Sequence, residues 1–356
     1  MGKIKVAVIF GGFSPEYEVS LKSAYSIITA IDKEKYDVLM IGITKKGKWY
    51  RYSGIAENIP NDNWHKEKGL IDKAFISPER GGGILVLKNE NLTSTQVDIV
   101  FPIFHGRNGE DGTIQGLCEL AGIPVVGSGS AASALCMDKD RSHKLISLVG
   151  ITVPKSVSFE YIPTNEELLQ AVRTLKLPVF VKPIKAGSSI GVSRLDNYED
   201  VPAAVKEAFI YDDAVIIEEN IFGKEVGCAV IGNRELRTGR VNEIEVSHGF
   251  FNYKEKYTLE TSKIHTPARI DAESERRLQE AGKLIFRTLG CRGYARIDMF
   301  LTDDGDIVFS EANTIPGFTG HSQFPKMMKA VGIDYPELVD ILLELGLQVE
   351  RGEWYG

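Results

Sequence analysis

Two short β-prone runs carry charged residues in an unusual pattern: Arg296-Ile297-Asp298-Met299-Phe300-Leu301 and Ile307-Val308-Phe309-Ser310-Glu311-Ala312-Asn313. Between them lies Thr302-Asp303-Asp304-Gly305-Asp306, whose Asp-Gly pair predicts a hairpin. With Asp304 and Gly305 as the two central turn residues, counting outward sets Asp298 opposite Glu311 and Arg296 opposite Asn313. Strand alternation then puts all four on one face. Directly opposed residues have Cβ atoms roughly 5 Å apart, and like charges there repel. An ordinary surface hairpin would set opposite charges across from each other, so Asp298 against Glu311 predicts a cation between them. Oxygen donors, with the Asn313 carbonyl as a third, suit Mg²⁺ better than zinc, and Mg²⁺ completes its shell with water and phosphate oxygens.

A phosphate site is predicted elsewhere in the chain. The stretch Lys182-Pro183-Ile184-Lys185-Ala186-Gly187-Ser188-Ser189-Ile190-Gly191 puts small residues between two short apolar runs. Gly and Ser let backbone N–H groups face an anion, and Lys182, ending the first run, can reach the same anion. It is not a Walker A loop, because GxxxxGK[ST] is absent. Alone it is an ordinary turn; in a chain with a Mg²⁺ site it predicts a cover over nucleotide phosphates. Lys139, in Met137-Asp138-Lys139, reads alone as a solvated lysine at a helix start.

Positioning these groups takes several elements. Val6–Phe10, Tyr36–Ile43 and Val97–Phe101 read as buried strands, and Ile114–Ala121 as a helix. Ser14 is the expected N-cap of a first helix, with Pro15 at its first position and Glu16 and Glu18 in its first turn. This alternation predicts a small open α/β domain with a parallel sheet. Ile55–Asn91 is polar and Gly-punctuated and reads as loop-rich surface. Asp140–Val149 reads as helix, followed by short strands at Val179–Lys182 and Ile190–Val192 in a small α+β domain. A long loop from Ser247 to His265 with Phe250, Phe251 and Tyr253, a helix over Glu273–Leu289, the hairpin and a final helix opened by Asp334 and Glu337 complete the chain.

The chain has 356 residues, which predicts two or three packed domains. The divisions fall at 1–138, 139–222 and 223–356. Hydrophobic content of 43% and charged content of 26% exclude a disordered chain. The net charge of −7, with Lys and Arg scattered, leaves no footprint for nucleic acid. The apolar run after Lys3 and Lys5 is too short for a signal peptide, and no stretch approaches membrane-spanning length. Cys118, Cys136, Cys228 and Cys291 lack CxxC spacing, which predicts free buried thiols and the cytoplasm.

Taken in order, a larger set of motifs resembles the D-alanine–D-alanine ligases of the ATP-grasp superfamily. They are Gly11-Gly12 with Glu16-Tyr17-Glu18-Val19-Ser20, His105-Gly106-Arg107-Asn108-Gly109-Glu110-Asp111-Gly112, Met137-Asp138-Lys139 and Lys182 through Gly191. Lys256-Tyr257, Arg296-Ile297-Asp298 and Glu311-Ala312-Asn313-Thr314-Ile315-Pro316-Gly317-Phe318-Thr319 complete the set, nearly end to end. The resemblance implies an ATP-grasp α/β (α+β) fold: an N-terminal open parallel-sheet domain, a central small α+β domain and a C-terminal mixed-sheet domain, with ATP between the last two. It implies ATP and Mg²⁺ (two ions, Mn²⁺ able to substitute), a homodimer, and a place in peptidoglycan precursor synthesis.

The same resemblance assigns roles. Glu16 would hold the ammonium of the first D-amino acid, with His105 nearby. Lys139, Lys182 and Ser189 would meet ATP phosphates, and Glu218 and Glu225 its adenine and ribose sides. Ser188 would hydrogen-bond with Glu16 and Tyr257, Lys256 would touch the γ-phosphate, and Ser322 the second substrate's carboxylate. Asp298, Glu311 and Asn313 would hold the metal. Arg296 and the Gly317 N–H would stabilise the tetrahedral oxyanion, a contribution of about 3 kcal/mol per donor. The loop from Ser247 would exclude water from an acyl phosphate.

Each position also has a plainer reading: Glu16 is a good first-turn acid, and a His after a strand is ordinarily structural. Two positions depart from the commoner pattern: Gly320 replaces a Ser, and Gln323 replaces an apolar residue beside the second-substrate pocket. D-alanyl-D-alanine is therefore the expected product, with D-alanyl-D-serine the alternative, since several D-serine ligases carry a polar residue there and Glu255–Leu259 is similar to one D-serine branch. Lys256-Tyr257 argues against D-lactate, and His248 reads as surface. The rivals are a biotin-carboxylase-like or glutathione-synthetase-like ATP-grasp ligase and a nucleotide-binding module without catalysis.

Overall fold

The computed structural model describes residues 2–246 and 262–348. Three sheets organise them. The first begins with β1 (Ile4–Gly11), crosses over through α1 (Tyr17–Ala30) to β2 (Tyr36–Ile43), and continues through β3 (Trp49–Tyr52), β4 (Ile71–Ile76), β5 (Ile84–Lys88) and β6 (Asn91–Thr95) to β7 (Ile99–Ile103). Its order is β6-β5-β4-β3-β2-β1-β7. Val6 to Phe10 are fully buried because both faces of β1 are covered, which is why they form one unbroken apolar run. One face packs on α1 through Leu21, Ala24 and Ile27; the other packs on α2 (Thr113–Ala121) through Ile114 and Cys118.

The parallel character expected of this sheet is confined to β2-β1-β7. Four antiparallel strands extend it, and two of them, β4 and β5, occupy the segment read as loop, with β6 starting at its last residue. That segment is ordered by a narrow apolar stripe: Ala74, Ile76, Ile84 and Val86 alternate inward, and Trp64 is fully buried against Phe10 and Tyr52. Strands of 5–6 residues with one polar face leave little periodicity to read. The first helix also starts later than expected. Glu16, not Ser14, is at the N-cap position, because Ser14 is occupied in a turn, accepting from the Glu16 N–H and donating to the His105 carbonyl.

After α3 (Ser130–Met137) and α4 (Lys139–Leu148) comes a four-stranded antiparallel sheet in the order β10-β9-β11-β8. It comprises β8 (Ser156–Phe159), β9 (Val179–Pro183), β10 (Ser193–Leu195) and β11 (Val215–Glu219). Two helices, α5 (Asn165–Val172) and α6 (Val201–Ala208), bury one face of it. β10 starts beyond Val192, so Ile190–Val192 belongs to the loop and not to a strand.

The third sheet runs β15-β14-β12-β16-β17, with β13 beside β12. Its strands are β12 (Lys224–Gly232), β13 (Leu236–Thr238), β14 (Asn242–Val246), β15 (Ser262–His265), β16 (Gly293–Leu301) and β17 (Ile307–Asn313). α7 (Ala272–Thr288) covers one face through Leu278, Ile285 and Phe286, and α4 joins that core through Ile146. α8 (Gln323–Lys329) and α9 (Tyr335–Gln348) turn back onto the first sheet, where Phe324, Leu338 and Leu342 share a core with Phe10 and Phe101.

The hairpin β16–β17 reaches its expected pairing by a different route. Asp298 does pair with Glu311 and Arg296 with Asn313. The turn, however, holds three residues, Asp303, Asp304 and Gly305, since the Thr302 N–H donates to the Asp306 carbonyl and Leu301 pairs with Ile307. That moves the ladder by one residue. A bulge on β17 at Ser310, between Met299↔Phe309 and Asp298↔Glu311, moves it back.

Candidate active site

Two cavities open side by side along one face of this hairpin. The first, about 340 Å³, is lined by Lys139, Lys182, Ser189, Glu218, Glu225 and Glu311, with Phe180, Val192, Ile221 and Phe300 as its apolar walls. β9 carries Lys182 and β11 carries Glu218 in the facing register position to Phe180, so the two side chains meet: Lys182 Nζ is 2.6 Å from Glu218 Oε2. Burial opposes the Lys182 charge, but Glu218, Glu311 and Glu225 outweigh it and hold the ammonium above its usual pKa. Burial likewise opposes the Glu218 charge, and Lys182 and His143 overcome it.

The loop after β9 folds over this cavity. Ser188 and Ser189 both have positive φ, 51° and 57°, so the chain curls there into a left-handed arch. Lys139 Nζ ties the arch down by donating to the Ala186 carbonyl at 2.9 Å and lies 3.6 Å from Glu311. Asp138 caps α4, accepting from the Arg141 N–H, and so fixes where Lys139 begins. The residues fit a nucleoside triphosphate. Lys139 and Lys182 line the cavity under the Gly/Ser loop, and the buried Glu218 Oε1 has no hydrogen-bond partner among the described residues, an acceptor that a ligand N–H can satisfy.

The second cavity, about 380 Å³, takes in Glu16, His105, Glu110, Ser188, Arg296, Asp298, Asn313, Gly317, Ser322 and Gln323. Glu225 and Ile244 line both cavities, so the two adjoin. Glu16 accepts a hydrogen bond from Ser188 Oγ, joining the start of α1 to the Gly/Ser loop after β9 across 172 residues. His105 Nδ1 donates to the Ile315 carbonyl at 2.8 Å, which leaves Nε2 as an acceptor toward Ser23. Burial lowers the His105 pKa further than Glu16 and Ile315 raise it, so the ring stays neutral. Gly317 approaches Ser322, and Ser322 Oγ accepts from the Thr319 N–H at 3.0 Å.

The carboxylate pair differs from the expectation in one respect. Asp298 is already matched by a cation: Arg296 grips both its oxygens, each at 2.7 Å, and Asn313 Nδ2 adds a third bond at 2.9 Å. Burial opposes the Arg296 charge, but Asp298, Glu311 and Glu110 together hold it above its ordinary value. The opposition of Asp298 and Glu311 thus does not by itself demand a metal, and no cluster of three acidic, His or Cys ligands occurs among the described residues. The donor chemistry still fits Mg²⁺. Asn313 turns its amide nitrogen to Asp298, which frees its carbonyl oxygen, and Glu311 is a hard oxygen ligand beside Lys139.

Lys256, Tyr257, His248, Phe250, Phe251 and Tyr253, and the stretch Glu255–Leu259, lie outside the described residues. Two residues of this region had no assigned role from sequence. Glu110 is half-buried in the wall of the second cavity, accepts from the Gly106 N–H at 2.7 Å, and is pushed up to about 8 by desolvation and then by Glu16. Its place in an Asp/Glu pair after His105 was the available signal. Asn242, fully buried on β14, had none, because a lone Asn in a strand carries no spacing to read.

All four cysteines are buried and free, and no described helix is long and apolar enough to cross a membrane. Comparison with known proteins gives a consistent result. Residues 5–128 match the family model described as D-ala D-ala ligase N-terminus, and residues 145–344 match D-ala D-ala ligase C-terminus. The vancomycin B-type resistance protein VanB of Enterococcus faecalis is 44% identical over 98% of this chain and 100% of its own length. A D-alanine–D-alanine ligase of Caldicellulosiruptor bescii is 42% identical over 99% of this chain and 97% of its own. The crystal structure of the VanG D-Ala:D-Ser ligase from Enterococcus faecalis superposes with a TM-score of 0.90 at 51% identity, covering 97% of this chain and 99% of that one.

Proposed function

Because the chain belongs to the D-alanine–D-alanine ligase family, we propose that it joins D-alanine to a second D-amino acid at the expense of ATP, in the cytoplasm, for peptidoglycan precursors. The observation that carries this reading is that one face of the hairpin β16–β17 lines two adjoining cavities. Glu311 and Ser310 face the lysine-lined cavity, while Arg296, Asp298 and Asn313 face the other. A carboxylate held in the second cavity is thereby next to a phosphate held in the first, the arrangement a phosphoryl transfer between them needs.

In this proposal each of the three sheets frames one domain, with divisions near residues 138 and 222. Lys139, Lys182 and the arch at Ser188–Ser189 hold the ATP phosphates, and Glu218 and Glu225 the adenine and ribose sides. Glu16 receives the ammonium of the first D-alanine, oriented by Ser188 and by neutral His105. The first substrate's carboxylate attacks the γ-phosphorus, ADP leaves, and the resulting acyl phosphate accepts the second amine, releasing phosphate. Asp298, Glu311 and Asn313 would hold Mg²⁺, which neutralises charge on the transferring oxygens. Arg296, pinned by Asp298, points a fixed cation at the developing oxyanion together with the Gly317 N–H. Ser322 meets the second substrate's carboxylate.

D-alanyl-D-alanine is the product the family name supports. D-alanyl-D-serine is favoured by one specific observation, a polar Gln323 in the wall of the second cavity, and by the 51% identity to a ligase of that specificity. The test is ATP turnover with D-alanine and equimolar D-serine, with dipeptides identified by mass spectrometry. Phosphate release that needs a D-amino acid supports the ligase; its absence with every D-amino acid overturns it.

A further inference from the structure

His143 lies one turn along α4 from Lys139 and lines neither cavity. Its Nε2 meets the Ser310 carbonyl at 2.7 Å, and a carbonyl only accepts, so Nε2 carries the ring proton. Nδ1 of the neutral ring is then a bare lone pair. It lies 3.7 Å from Glu218 Oε1, which is also an acceptor, and the two side chains are only 4% and 3% exposed. Neither atom has a hydrogen-bond partner among the described residues. Two acceptors that face each other away from water lack a proton between them. The gap is about 1 Å longer than a charge-assisted hydrogen bond. The Phe309 ring, edge to face with the imidazole at 5.6 Å, holds it from the β17 side.

Glu218 stands to lose its present cation. Its Oε2 is paired with Lys182 Nζ at 2.6 Å, and Lys182 is one of the two lysines that line the nucleotide cavity. An ammonium that turns to a triphosphate leaves a buried carboxylate unpaired, a costly state. The charged groups around this point are Glu218 on β11, Lys182 on β9, Lys139 on the same helix as His143, Glu225 on β12 and Glu311 on β17. Lys139 faces the same phosphates and already neighbours Glu311. His143 is the group that can replace the lost charge where it stands, by binding a proton at Nδ1.

We propose that His143 is a proton-binding positioning residue for ATP. As Lys182 moves to the phosphates, Nδ1 takes up one proton from solvent and donates it in a hydrogen bond to Glu218 Oε1, which stays ionised and in place. The Nδ1 lone pair forms the new N–H bond, a hydronium ion or buffer acid gives up the proton, and no other bond changes. A carboxylate oxygen has more than one lone pair, so Glu218 Oε1 still accepts from a ligand N–H as well. This rests on the ATP-dependent reading above.

The test is calorimetric titration of the full chain with Mg²⁺ and the non-hydrolysable β,γ-imido analogue of ATP, in buffers of different ionisation enthalpy. The dependence on buffer reads the protons taken up per nucleotide bound. At about pH 7.5 the wild type is expected to take up at least about 0.5 proton more than His143→Gln, which keeps an amide donor for Ser310 and has no ring nitrogen to protonate. Its affinity is then expected to weaken about threefold more per unit rise in pH than that of the variant. Equal uptake by the two proteins, as a water bridging Nδ1 and Oε1 would give, overturns the proposal while leaving ATP binding intact. A wild type that binds no nucleotide overturns the ATP reading and this proposal with it. Should His143→Gln not fold, Lys182→Met decides, because it removes the cation permanently and leaves His143 to hold its proton without nucleotide. A group that gains an anionic partner on folding contributes stability at low pH that is lost as pH rises. The unfolding equilibrium constant of Lys182→Met relative to wild type is therefore expected to be at least about tenfold larger at about pH 9 than at about pH 6, and an equal ratio at both overturns the proposal.

Discussion

The two cavities share a wall at Glu225 and Ile244 but hold their polar groups in opposite ways. In the lysine-lined cavity charge is paired with charge across the opening, Lys182 to Glu218 and Lys139 toward Glu311, so an incoming anion competes for cations that already have partners. In the second cavity the groups are pinned from behind, Arg296 by Asp298 and Gln323 by Asn242, so they face a substrate with fixed direction. Exchangeable ion pairs suit a common, highly charged ligand. Fixed donors suit small substrates that differ by one atom.

The largest expected effect breaks the hairpin that lines both cavities. Asp298→Asn and Glu311→Gln keep shape and remove charge, and each is expected to lower kcat by about 10³-fold or more, read as D-alanine-dependent phosphate release. Near-normal turnover in either would take the carboxylate pair out of the mechanism. Lys182→Met probes the first cavity alone. It strands the buried Glu218 carboxylate, a loss of about 3–5 kcal/mol measured by chemical denaturation, and is expected to raise the KM for ATP at least about tenfold. Glu218→Gln is expected to cost less stability, because Lys182 keeps partial access to water.

Glu110 sharpens the comparison through pH. Its pKa of about 8 lies above the ordinary carboxyl value of 4.5, burial and Glu16 being the causes. Between those two values the folded protein binds more protons than the unfolded chain, so stability from this group is complete below 4.5 and is lost as pH rises toward 8. The unfolding midpoint of the ligand-free protein is expected to fall over that window, and Glu110→Gln to flatten the fall. An equal slope in both proteins would mean that Glu110 titrates normally.

How much of this was legible depends on the range of the interaction. β2 matched its expected span, Tyr36–Ile43, because its apolar run from Val38 to Ile43, broken only by Gly42, leaves one local solution. The contact between Glu16 and Ser188 followed from resemblance, since nothing in the spacing of residues 172 apart could place them together. The grip of Arg296 on Asp298 was visible in principle, because residues two apart in a strand share a face, but the pattern was read across strands and not along one. Asn242 was out of reach: its partners come from β12 and α8, and only the folded sheet brings them to it.

The smallest expected effect concerns the hairpin tip. Gly305 has φ near 83°, the left-handed conformation that closes a three-residue loop, and a Cβ there would meet only Arg277 at 3.7 Å, an ordinary contact. Gly305→Ala is therefore expected to cost about 1 kcal/mol of stability through backbone strain alone. Turnover and the D-serine to D-alanine ratio are expected to stay within about twofold, on the view that register at the site is set locally by the bulge. Ser310 and Glu311, consecutive residues, both face the first cavity, which an unbroken strand would not allow. The bulge thus serves both cavities: it turns Glu311 toward the lysines while leaving Asp298 and Asn313 in the wall of the second. A Gly305→Ala variant that lost activity in proportion to more than its stability would show that the turn, and not the bulge, holds the two sides in register.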